Sequence, residues 1–172
     1  ELLSSEQRGE FHPEDALTQA LFYRLRTMDA ASLRDIVGMD EGLEYRFLRA
    51  AQTAASREEL IAAIKSKRYT HARLSRLCAH ILLGVSRDFA AAHRTPTYAR
   101  VLGFRKDAAP LLRAIKAHAS IPLVTKAAAF DRADPLFSLD VRAQDLWSLG
   151  VSNPSLRASG RDFTTSPAIL SR

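Results

Sequence analysis

The chain has 172 residues, with 25 Lys+Arg against 19 Asp+Glu for a formal net charge of +6, and 47% hydrophobic content beside 26% charged residues. That balance excludes a disordered polyelectrolyte, and the length supports a core that buries roughly two thirds of the unfolded surface without a disulfide or metal staple. No apolar run approaches the roughly 20 residues that cross a bilayer, and the single thiol, Cys78, cannot close an internal disulfide, so a soluble cytoplasmic protein with no membrane partner is expected.

Twenty-eight alanines against seven glycines lean the composition toward helix. The expected fold class is mainly all-α: a compact multi-helix domain with at most one short strand or hairpin and an irregular C-terminal tail. The first methionine is Met28 and the chain opens at Glu1 in a linker-like stretch, so it reads as a piece of a longer polypeptide. Residues 1–12 read as the linker, 13–150 as the helical domain and 151–172 as the tail packed on it.

In chain order, Pro13 opens a helix carrying Leu17, Leu21, Phe22 and Leu25 to about Met28, and Asp29 caps a short helix running to Val37, stopped by Gly38. A third helix starts near Gly42, with Glu41 and Glu44 at its dipole-favoured start. Ser56 with Glu59 makes a capping box for a fourth. Thr70 caps a fifth that runs to Leu83 with Gly84 as its stop, and its Leu74, Leu77, Cys78, Ile81 and Leu82 repeat at i, i+3, i+4, i+7 and i+8. Residues 86–93 form a short segment, and Thr97 to Phe104 is either a lone strand or an irregular connector. Asp107 is expected to cap a helix to His118 and Asp140 a last one to Leu149, with Phe163, Ile169 and Leu170 anchoring the tail.

Charge is segregated along this order. Residues 1–59 hold seven bases and twelve acids, residues 60–130 thirteen bases and two acids, and no acid lies between Glu59 and Asp88. A field concentrated in this way points to a polyanion partner. On a helix, Tyr69, Arg73, Arg76 and His80 fall along one edge beside the apolar stripe. Guanidinium groups match phosphate oxygens, and a tyrosine can stack on an unpaired base. The candidate RNA-binding residues are therefore Lys65, Lys67, Arg68, Tyr69, Arg73 and Arg76, with Arg100, Arg105 and Lys106 extending the track. Two other readings stay open: a docking surface for an acidic partner, and a segment that lends Lys67 or Arg68 to an active site.

No catalytic constellation is present in the sequence. The glycines are too scattered for a phosphate-cradling loop, the histidines have no ligand spacing with Cys78, and Cys78 on the apolar stripe reads as an inert buried thiol. No catalytic or metal-binding residue is expected.

Five blocks nevertheless carry a resemblance: EGLEYRFLRAA (41–51), IKSKRYTHARLSRLCAHILLG (64–84), YARVLGF (98–104), IPLVTK (121–126), and DVRAQDLWSLG with the later NP, GRDFT and PAIL (140–170). In this order they resemble the C-terminal part of the bacterial tRNA(Met) cytidine acetate ligase family. The resemblance implies an enzyme that activates acetate with ATP to acetyl-adenylate and acetylates N4 of the wobble cytidine. It implies that ATP and magnesium belong to a separate N-terminal nucleotidyltransferase domain with a His-x-Gly-His type motif, none of them in this segment. That domain and tRNA would be the partners, and KSKRYT with Arg73 and Arg76 the tRNA contact.

Overall fold

Helix ends in this chain are fixed mostly by side-chain caps and left-handed glycines, and the computed structural model shows them over the residues it describes, 6–40 and 42–170. Glu41 and residues 1–5, 171 and 172 lie outside that range. The chain packs as two compact units: residues 1–92 with 146–157, and residues 93–145 with 158–172.

The first unit is helical. Residues 13–17 form turns, so Pro13 does not open α1 (Thr18–Thr27); the Asp15 carboxylate accepts from the Thr18 hydroxyl at 3.0 Å just ahead of the helix. Asp29 accepts the Ser32 N–H at 2.7 Å and caps α2 (Ala30–Asp35). Gly42, at φ +83, turns the chain into α3 (Leu43–Thr53). Ser56 accepts the Glu59 N–H at 3.1 Å while the Glu59 carboxylate takes the Ala55 N–H at 2.8 Å, the reciprocal cap that starts α4 (Arg57–Ile64). Thr70 caps α5 (His71–Leu83), Gly84 ends it at φ +67, and α6 (Arg87–Ala92) follows.

The apolar stripes of these helices meet in one core. Leu21 and Leu25 of α1, Leu33 of α2, Phe47 of α3, Leu60 and Ile64 of α4, and Leu74 and Ile81 of α5 are all buried in it. Each such side chain contributes on the order of 1.5–3 kcal/mol of hydrophobic burial, as an upper figure. The stretch read as a linker belongs to this unit: the Ser152 N–H bonds to the Phe11 carbonyl at 3.0 Å, the Asn153 N–H bonds to the Gly9 carbonyl at 3.2 Å, and the His12 ring stacks on Trp147 at 4.6 Å.

The second unit holds every strand among the described residues. β1 (Ala99–Arg100) pairs in parallel with β3 (Leu123–Val124), and β2 (Gly103–Arg105) pairs in parallel with β4 (Ala168–Leu170). Parallel neighbours need a long crossover. Between β1 and β3 that crossover carries a 3-10 turn (Lys106–Ala108) and α7 (Ala109–His118). Asp107 does not cap α7; it accepts from Arg105 instead. Helix α8 spans Pro135–Leu149 and a short α9 spans Arg161–Thr164. The α8 start is set by Asp134, whose carboxylate accepts the Phe137 N–H at 2.9 Å with Pro135 in the first turn, so Asp140 lies inside the helix and is not its cap.

These strands correct the all-α expectation: with two parallel strand pairs and an α-helical crossover, the architecture is α/β. The tail is also more ordered than expected, and Ile169 and Leu170 remain exposed in β4, which is held by its pairing with β2.

Gly150 is required by close approach. A Cβ there would lie 2.6 Å from Cε1 of His12, a ring already stacked on Trp147 and hydrogen-bonded to its carbonyl at 2.6 Å. Gly150→Ala is expected to destabilise the protein by about 1–3 kcal/mol, the usual cost of overpacking, measured as a lowered urea midpoint at unchanged slope.

Candidate nucleic-acid interface

The basic run folds into a tight turn followed by α5. Ser66 and Tyr69 exchange backbone hydrogen bonds at 3.1 Å in each direction, and the Ser66 hydroxyl accepts the Tyr69 N–H at 3.2 Å. This turn exposes Lys65, Lys67 and Arg68 and drives Tyr69 inward to 5% exposure. Three guanidiniums surround the buried ring, those of Arg73, Arg68 and Arg46, at 5.3, 5.4 and 5.8 Å from its centroid. Tyr69 is therefore corrected from a base-stacking platform to an internal anchor that fans the arginines, each cation–π contact contributing about 0.5–2 kcal/mol according to its desolvation.

The cationic edge expected along α5 is only partly free. Arg76 is exposed and makes no hydrogen bond or ion pair among the described residues. Arg73 is half-buried, donates to the Gly38 carbonyl at 3.3 Å and pairs with Asp40 at 2.8 Å, a carboxylate that also lies 3.6 Å from Arg68. His80 is tied to the Val37 carbonyl at 3.0 Å, and His71 pairs with Glu58 at 2.9 Å. Lys65, Lys67, Arg68 and Arg76 thus carry the accessible charge of this face.

Beside it an open cleft of about 780 Å³ is lined by Arg34, Arg68 and Arg87 together with Asp35, Asp40, Met39 and Ala31. Arg34 and Arg46 come from the acidic third of the sequence, where surrounding carboxylates mask them in any running charge count. Arg87 donates through Nε to the Arg34 carbonyl at 2.9 Å and through its terminal nitrogen to the Met39 carbonyl. Arg34 donates two hydrogen bonds, at 2.9 and 2.6 Å, to a fully buried Glu44. Two aspartates in the lining and Glu44 behind it offset three guanidiniums, so the cleft is close to neutral and the exposed run outweighs it as an anion site.

In the second unit Arg100 is corrected in the same way. Its guanidinium is engaged by Asp162 at 2.5 Å and by Asp140 at 3.2 Å, and Asp140 also accepts from the Tyr98 hydroxyl at 3.1 Å. These two carboxylates, Asp162 foremost, hold Arg100 more firmly protonated than usual, and burial followed by Asp140 raises the Tyr98 phenol. A guanidinium shared by two carboxylates has no charge left for phosphate. Arg105 and Lys106 are exposed, Arg105 with Asp107 at 2.6 Å. Burial pushes the Cys78 thiol up to about 11, so it stays protonated and inert at neutral pH. Among the described residues no group of three His, Cys, Asp or Glu is placed to hold a metal ion.

A family model described as HIGH Nucleotidyl Transferase matches residues 1–162, and the chain belongs to that family. It is 33% identical over 162 residues to the tRNA(Met) cytidine acetate ligase of Geobacillus sp. (strain WCH70), covering 94% of this chain and 40% of that protein. It is 37% identical over 154 residues to the ligase of the same name from Acetivibrio thermocellus, covering 85% and 37%. The crystal structure of Thermotoga maritima TmcAL bound with alpha-thio ATP superposes with a TM-score of 0.86 at 26% identity, over 99% of this chain and 45% of that one. The chain thus spans about two fifths of the length of the curated relatives it matches.

The resemblance read from the five blocks leads to relatives of that same name, and its placement is corrected. Because the nucleotidyl transferase match runs over residues 1–162 of this chain, the segment is not an appendage outside that family's region. Assigning ATP wholly to a separate domain, with no nucleotide contact here, is overturned by the same match. What the described residues offer a nucleotide is guanidinium charge. They build no glycine-rich phosphate loop, and the left-handed glycines 9, 38, 42, 84 and 160 stand apart at turns and helix ends.

Two outcomes follow from the charge arrangement. Asp40→Asn removes the carboxylate shared by Arg68 and Arg73, and affinity for heparin, a generic polyanion, is expected to rise about two- to fivefold in a binding titration, the scale of a partly exposed ion pair. Burial, the largest single influence, would raise the Glu44 pKa, but the Arg34 hydrogen bonds, nearby backbone N–H groups and the Arg34 charge together outweigh it and hold the carboxyl below its ordinary 4.5. The folded state then binds fewer protons at Glu44 than the unfolded one, so this stabilisation is present above pH 4.5 and is lost as the pH falls through the lower folded value. Urea midpoints measured between pH 7 and pH 3 are expected to fall less steeply in Glu44→Gln.

Proposed function

We propose that this chain serves an ATP-dependent tRNA(Met) cytidine acetate ligase and that the exposed Lys65, Lys67, Arg68 and Arg76 face holds the backbone of its tRNA substrate in the cytoplasm. In the whole protein, an acetate oxygen attacks the α-phosphorus of ATP with pyrophosphate as leaving group to give acetyl-adenylate, and N4 of the wobble cytidine then attacks the acetyl carbonyl carbon with AMP as leaving group and loses a proton. The observation that carries the RNA reading is the acid-free interval between Glu59 and Asp88, folded so that four cations project from one turn and one helix edge. The names of the relatives, tRNA(Met) cytidine acetate ligases, support the choice of substrate.

Neutralising all four cations to alanine in the full-length protein is expected to weaken tRNA binding about tenfold or more at low salt. The slope of log affinity against log salt should fall by roughly three, at about 0.7–0.9 per phosphate released. Unchanged affinity would remove this face from the account. Equal, equally salt-sensitive capture of tRNA, heparin and an acidic peptide would assign it to docking of an acidic partner.

A further inference from the structure

The second unit carries a concavity that the RNA-contact residues above leave unused. It is open, about 640 Å³, and is lined by residues from the end of α7 through β3 to Phe130, among them Lys116, Lys126, Ser120 and Thr125. No acidic residue lines it, in contrast to the balanced cleft of the first unit. Both lysines are exposed, and neither has a hydrogen bond or ion pair among the described residues.

The strand in its wall has one free edge. Val124 turns its backbone toward β1, where its carbonyl takes the Val101 N–H at 2.9 Å and the Pro122 carbonyl takes the Ala99 N–H at 2.9 Å. Alternation along a strand then turns the N–H and C=O groups of Leu123 and Thr125 to the other side, where no further strand pairs among the described residues. Such an edge presents alternating donors and acceptors, the pattern needed to meet the hydrogen-bonding edge of an unpaired base. Phe130 lines the hollow and is half-buried, held edge-on by Phe137 at 5.0 Å and tilted against Tyr98 at 5.0 Å, which holds its ring in place.

We propose that this concavity is a subsite for one unpaired nucleotide of a bound RNA, with Lys116 and Lys126 on the flanking phosphates and the free edge of β3 reading the base. Two lysines with no counter-charge suit phosphodiesters, the volume admits a nucleotide with room for solvent, and the main-chain edge adds recognition that lysines alone cannot give. Duplex RNA does not fit this chemistry, because its base edges are already paired. The proposal rests on the RNA reading of the first unit, though it uses none of the same residues.

The test is a tRNA titration of the full-length protein carrying Lys116→Glu with Lys126→Glu, at two salt concentrations, beside the fourfold alanine variant of the first unit. The double variant is expected to bind tRNA at least fivefold more weakly, with the salt slope lower by about one to two. A short unstructured oligoribonucleotide should compete for the wild-type site and lose that competition in the double variant, whereas a blunt RNA duplex should compete equally with both. Wild-type affinity in the double variant, alongside a loss in the fourfold variant, overturns the subsite and leaves the RNA reading standing. No loss in either variant overturns both. Lys116→Gln with Lys126→Gln, checked by thermal melting, gives the same decision if charge reversal disturbs folding.

Discussion

A single buried aromatic ring organises the basic surface. Tyr69 enters the core at the end of a four-residue turn, and its burial places the guanidiniums of Arg46, Arg68 and Arg73 around one centroid. Three like charges in that space repel, at roughly 1 kcal/mol or more per pair near a protein surface. The ring quadrupole and the Asp40 carboxylate offset that repulsion. The arginines are thereby held in place before any ligand arrives, and the exposed lysines at the turn tip are free to follow it.

The helical elements were legible where caps and periodicity agreed. Thr70, Gly84 and the stripe from Leu74 to Ile81 fix α5 to the residue, and Ser56 with Glu59 fixes the start of α4. The start of α8 was not legible: Asp140 is the expected cap, but Asp134 followed by Pro135 starts the helix, and Asp140, inside it, serves Arg100. Of the strands only an extended stretch over Thr97 to Phe104 was legible; β3, β4 and the pairing were not, because two or three residues carry no period and their partners lie far along the chain. The site shows the same limit. An interval without acids in sequence is not without acids in space, and Asp40 reaches Arg73 across a fold that local patterning does not describe.

Buried charge in this protein is consistently paired, though not fully satisfied. One oxygen of Glu44 and one of Asp162 are enclosed without a hydrogen-bond partner among the described residues, each on a carboxylate whose other oxygen grips an arginine. Losing either arginine would strand a buried anion, which costs far more than a surface pair contributes. These two arginines therefore define internal geometry, and the residues available to a polyanion are those outside such pairs.

The chain passes between the two compact units three times: into the second at residue 93, back to the first for residues 146–157, and to the second again from residue 158. Neither unit corresponds to an uninterrupted stretch of gene, so no single cut yields either one whole, and neither could be shuffled between proteins as a cassette. During synthesis the first unit cannot close until Arg157 has been made, and the second not until β4, so each waits on residues added after the other has begun.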